Sequence, residues 1–211
     1  MKKTLLIALS ILHLAVYGQD SAGVKKDSVP ATPWALYHAI EARLDTVLDD
    51  DQSDRRKLDE FSKLHNPRKL DSLWEVIGKK DDINLAKVTA ILDKYGWLGI
   101  NEIGEKANLA LFIVIQHADS LTQVTYLPMM RQAVKDGKAK AEDLALLEDR
   151  VLTEQGKPQI YGSQVRTNKA GKNEFFPIAD ERNVNKRRGS VGLEPLEVYA
   201  RNFGIDYHLP K

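Results

Sequence analysis

"LALFIVIQHADSLTQ" (residues 109–123) decides how this chain folds. Seven consecutive apolar residues, Leu109 to Ile115, leave no polar face, so the helix carrying them belongs at the buried centre of a bundle. The run ends abruptly in Gln116, His117 and Asp119. Polar groups in the last turn of the most buried helix need partners, because an unpaired buried amide or imidazole costs about 1–3 kcal/mol. The stretch therefore predicts both an architecture and a polar site at its end.

Outward from this centre the helical pattern repeats. Pro33 follows Thr32, a capping residue at the head of "PWALYHAIEARLDTVL", where Trp34, Leu36, Tyr37, Ile40, Leu44, Val47 and Leu48 form one apolar stripe. The charged run "DDDQSDRRKLDEFSKL" reads as its solvated continuation, with Asp51 and Arg55 as a surface i,i+4 pair. "PRKLDSLWEVIGKK" and "INLAKVTAILDKYG" read as two amphipathic helices, the second stopping at Gly96. After the central helix, "SLTQ" fits a capping box with Ser120 capping and Gln123 reaching back, and Pro128 is expected to kink that helix. "KAEDLALLEDRVLTEQG" closes at Gly156. Beyond it, β-branched and aromatic residues flank "NKAGKN", which predicts a β-hairpin of roughly Gln159–Thr167 with Glu174–Ile178. A short helix is expected near Pro195–Asn202, and "NKRRGS" (185–190) reads as a solvated basic turn. The expectation is a mainly α fold: a single helical domain of about six helices over residues 31–211, with a small C-terminal β-hairpin near 159–178.

The start of the chain carries a different message. In "MKKTLLIALSILHLAVYGQDS", two lysines precede an apolar stretch from Thr4 to Tyr17, and small Gly18 precedes Gln19. That is the layout of a signal peptide over residues 1–18, followed by a polar leader over 19–30. The run is short of the roughly 20 apolar residues a spanning helix needs, so no stable membrane insertion is expected after cleavage. An exported, periplasmic or secreted protein follows. With no cysteine, disulfides cannot stabilise it, and a hydrophobic core must. Loss of Lys2 and Lys3 takes the formal charge from +1 to about −1, which leaves no electrostatic footprint for nucleic acid.

The candidate chemistry lies in three separated stretches. His117, at a helix C-terminus, is a candidate proton acceptor or donor, oriented by Asp119 or Asp149; the plainer role for Asp119 is to cap the next helix. Arg150 shares a helix face with Leu147 and Val151, so its guanidinium reaches the core edge and needs a carboxylate or a ligand oxygen. Gln116, Gln159, Tyr161 and Gln164 are candidate ligand contacts, the last three because a hydrophobic-looking strand carries amides only where they bond something specific. "HAD" has H-x-D spacing but lacks a second ligand cluster, so no metal is expected. There is no G-x-S-x-G, H-E-x-x-H or Walker loop, so no cofactor is expected either.

"KYGWLG" (94–99), "QHAD" (116–119), "DRVLTEQGKPQIYGSQ" (149–164) and "NKRRGSVGLEPL" (185–196) together resemble an uncharacterised bacterial family, a domain of unknown function with KYGWP, QHAD and DRV…G.PQ.YGTQ motifs. Leu98 and Ser163 depart from that pattern, where it has proline and threonine. The similarity spans about Asp51 to Tyr199 and implies that these polar groups belong to one arrangement; it carries no activity. Two functional readings follow. One is an exported protein whose His/Arg/Gln pocket binds or hydrolyses a small polar or anionic ligand. The other is a non-catalytic module at the cell envelope, its polar cluster purely structural and its protein partner open.

Overall fold

The computed structural model describes residues 33–63 and 67–210. The expected signal peptide, leader and Thr32 cap fall on residues outside them. Five long helices come first: α1 (Pro33–Lys63), α2 (Pro67–Tyr95), α3 (Ile100–His117), α4 (Ser120–Lys135) and α5 (Ala141–Glu154). A two-stranded antiparallel hairpin follows, β1 (Val165–Thr167) with β2 (Asn173–Phe175), and then two short helices, α6 (Val184–Ser190) and α7 (Leu196–Arg201). The mainly α fold with a small hairpin is as the patterning predicts, with seven α-helices among the described residues where about six were expected. No described helix is long and apolar enough to cross a membrane.

The centre is α3. Ala107, Ala110, Leu111 and Ile115 are fully enclosed, and α1, α2, α4 and α5 all pack around them. Helix α1 lies along both α2 and α3, and α4 pairs with α5, whereas α1 and α5 do not pack against one another. Helix α3 is broken near its start at Gly104, whose φ of +75° favours glycine. A Cβ there would sit 2.8 Å from Glu41 Oε1.

Three local expectations are corrected. Helix α2 is continuous from Pro67 to Tyr95, because Gly78 and the charged "KKDD" face outward enough to interrupt the apolar stripe without breaking the backbone. Helix α4 is capped by Asp119, whose Oδ1 accepts from Thr122 N at 2.8 Å, while the Gln123 amide turns inward to the carbonyls of Gln116 and Ala118. Pro128 sits inside α4 without ending it. The hairpin is far shorter than the β-propensity suggested: residues 160–164 are held by side chains in place of a strand ladder, and Gln159 makes an isolated bridge to Ile178.

Candidate functional site

The most unexpected residues of the molecule lie on α1. Leu44, Val47 and Leu48 continue at helical spacing into Asp51 and Arg55, and these two are as buried as the core, at 2% and 3% exposure. They are not a surface pair. Arg55 Nε bonds Asp51 Oδ2 at 3.2 Å, and its terminal nitrogen bonds Asp81 of α2 at 2.6 Å. Asp51 Oδ1 faces His117 Nδ1 at 3.0 Å, and Gln52 Nε2 donates to Oδ2 at 2.7 Å. Three helices thus meet in a His117–Asp51–Arg55–Asp81 relay.

The electrostatics of this relay are coherent. Burial pushes Asp51 upward, but the His117 hydrogen bond and the Arg55 charge outweigh it and hold the carboxyl below its ordinary value. Burial pushes the His117 imidazole down, against the pull of Asp51, and so favours a neutral ring. Asp81 is raised by burial, with Arg55 opposing. A neutral ring beside an ionised carboxylate carries its proton on Nδ1 and leaves Nε2 as the basic nitrogen. Nε2 has no hydrogen-bond partner among the described residues, and the His117 side chain keeps 3% of its surface exposed.

The other predicted residues separate into two kinds. Asp149, fully buried, is a backbone receptor: its Oδ1 accepts from Ile160 N (2.6 Å) and Tyr161 N (3.0 Å), and its Oδ2 from Ser163 N (2.9 Å). Burial raises its carboxyl, with those bonds opposing. Gln159 is fully satisfied as well, donating to the carbonyls of Gln164 (3.0 Å) and Phe176 (2.9 Å) and accepting from Gln164 N (2.8 Å). Gln164 turns its amide to Ser163 Oγ at 2.9 Å. Tyr161 serves through its backbone, its carbonyl accepting from Arg188 at 2.7 Å. Arg188, read from the sequence as part of a solvated turn, is 1% exposed and lies over the Tyr199 ring. The reason is that α6 packs its basic face onto the 160–164 segment. Neither Asp119 nor Asp149 orients His117; Asp51 does.

Arg150 is of the second kind. It is 4% exposed, yet among the described residues its guanidinium has no hydrogen bond or ion pair, and its Nε is enclosed without an acceptor. Burial drives its pKa down; Glu154 and Tyr199 oppose this, and the charge of Arg55 on α1 reinforces it. Gln116 reaches α5 at the Leu146 carbonyl (3.5 Å), one turn before Arg150, and its own Oε1 is buried and unpaired. Gln123 Oε1, beside the Gln116 carbonyl, is unpaired too. Unmatched donor and acceptor groups therefore gather where α3 ends against α5. A separate groove of about 330 Å³ between α4 and α5, lined by Val124, Leu127, Pro128, Val151 and Leu152, holds none of the predicted site residues.

Sequence reasoning missed Asp51, Arg55 and Asp81. The signal was present in the spacing, since 44, 48, 51 and 55 continue the buried stripe of α1 into charged positions.

The chain belongs to a family of unknown function, DUF6624, whose model matches residues 39–210. No curated protein and no solved structure matches it.

Proposed function

We propose that this is an exported protein that binds a small anion, clamped at Arg150 on α5. The single observation that carries the reading is the buried guanidinium, 4% exposed, whose enclosed Nε finds no acceptor among the described residues. Leaving a buried charge uncompensated costs several kcal/mol, and proteins tolerate that where a ligand supplies the counter-charge. Arg55 on α1 adds positive potential, and the free amide oxygens of Gln116 and Gln123 suit a ligand that also carries a hydroxyl or N–H. The export part of the reading rests on the Lys2–Lys3 start and its apolar run, and N-terminal sequencing of the mature protein tests it.

The binding test is thermal unfolding and calorimetry with inorganic phosphate, acetate, succinate and citrate. At least one anion is expected to raise Tm saturably in the native chain and to lose that effect in Arg150→Met. Without any anion, Arg150→Met is expected to be more stable than the native protein by about 1–2 kcal/mol, as when a poorly compensated buried charge gives way to an apolar side chain. A destabilised Arg150→Met together with no response to any of the four anions overturns the proposal.

The structural reading is supported by a different observation: Asp149 and Gln159 spend their polar atoms on the protein's own backbone. For those two residues it is the better account, and they are pins rather than ligand contacts.

A further inference from the structure

The Asp51–His117 pair is not needed to hold an anion, and its geometry has a purpose of its own. The large majority of buried side-chain polar atoms in folded proteins have a hydrogen-bond partner. Here one nitrogen is fixed to a carboxylate that is itself fixed from Arg55 and Gln52, while the other is left open. The groups facing the ring are Asp51 and Arg55 from α1 and Asp81 from α2. Two carboxylates against one guanidinium leave one negative charge in excess, so a proton arriving on Nε2 brings the cluster to neutrality. The ring also ends α3, where the helix dipole favours a cation.

We infer that His117 is a general base whose working atom is Nε2, with Asp51 as its positioning residue, taking a proton from a hydroxyl or water held beside an anion bound at Arg150. In that step the O–H bond breaks, its electron pair stays on oxygen, the proton bonds to Nε2, and the Nδ1–H remains on Asp51 Oδ1. Arg55 links the two halves of the site: it grips Asp51 and Asp81 and lies within electrostatic reach of Arg150. The inference deepens the anion-binding reading and rests on it for the substrate.

Two measurements on the full mature chain test it. Nitrogen-15 NMR of the native protein at neutral pH is expected to show His117 protonated on Nδ1 with a free lone pair on Nε2. The opposite tautomer, or a ring permanently charged, overturns the base. Carbethoxylation with diethyl pyrocarbonate, read by peptide mass, is expected to modify His117 as well as the exposed controls His38 and His208. Saturating phosphate should protect His117 in the native chain but not in Arg150→Met, and Asp51→Asn should slow the reaction at His117 alone. His117 unmodified while both controls react overturns the inference. Phosphate that binds through Arg150 without protecting His117 also overturns it, and leaves the anion site standing. If no anion binds, the anion reading falls and the claim about the substrate falls with it, whatever the NMR shows of the tautomer.

Discussion

The five-helix bundle and the segment after residue 155 are held together by opposite means. Around α3 the contacts are apolar and numerous: Leu44, Val47, Val88, Leu92, Leu111, Ile115, Met130 and Leu147 form one continuous core. The C-terminal segment has a much smaller apolar cluster, Val184, Leu196 and Tyr199, with Val165 and Ala200 also buried. It is fastened instead by directional bonds. Asp149 collects three backbone N–H groups, Gln159 ties two strands' worth of carbonyls, and Arg187 and Arg188 donate to the carbonyls of Ile160, Ala179 and Tyr161. Apolar packing spreads its energy over many weak contacts, so no one atom is decisive. Polar pins concentrate it in a few directional bonds. The border between the two regimes, the Asp149–Arg150 pair, is where one residue is completely satisfied and the next is not.

That contrast can be broken most directly at Asp149. Asp149→Ala leaves three buried donors without an acceptor, at about 1–3 kcal/mol each, and is expected to cost about 4 kcal/mol in denaturant unfolding. Hydrogen exchange should rise first at residues 160–164, with α3 still protected; a uniform rise would erase the distinction. In the bundle, Leu111→Ala is expected to cost about 3 kcal/mol through its cavity, with protection falling across α1 to α5 together. A third test lies at the start of α5, where Asp143 is pushed up to about 7 by burial, with Glu142 and Glu105 adding to it and Lys140 opposing. A carboxyl harder to ionise when folded stabilises the protein fully below pH 3.8, and the benefit is lost as pH rises towards 7. Asp143→Asn is therefore expected to be more stable than the native chain at pH 8 and indistinguishable at pH 3.5 by thermal unfolding. Least of all, Tyr199→Phe deletes the bond from the phenol to the Ser163 carbonyl and should cost about 1 kcal/mol. A loss as large as that of Asp149→Ala would mean the aromatic cluster, not the pins, holds the segment.

How far the sequence could be read follows the same division. The greasy run of α3 has one physical meaning, and its place at the centre was legible from seven residues. So were the Gly96 and Gly156 stops, both at positive φ, and the placing of Gln116 and His117 against other helices. Asp51 and Arg55 were not. An i,i+4 ion pair looks the same in sequence whether its helix face meets water or another helix, and its partners His117 and Asp81 stand 66 and 26 residues away. The segment 159–164 misled for a related reason. Its alternation resembles a strand, but side-chain carboxylate and amide groups replace the ladder, and Gly162 at φ +72° turns where a strand would run straight. A side chain there would meet Leu196 at 3.0 Å. Interactions that depend on distant chain segments leave no local periodicity to read.

The Asp51–Arg55–Asp81–His117 relay has a consequence for how the long helices line up. Apolar stripes are forgiving: α1 could slide along α2 by a turn, about 5.4 Å, and still bury leucines against leucines. The charged groups admit no such choice, because sliding would strand the Arg55 guanidinium and the Asp51 carboxylate in a dry interior. The same four side chains therefore select one alignment of α1, α2 and α3 from several that grease alone would allow.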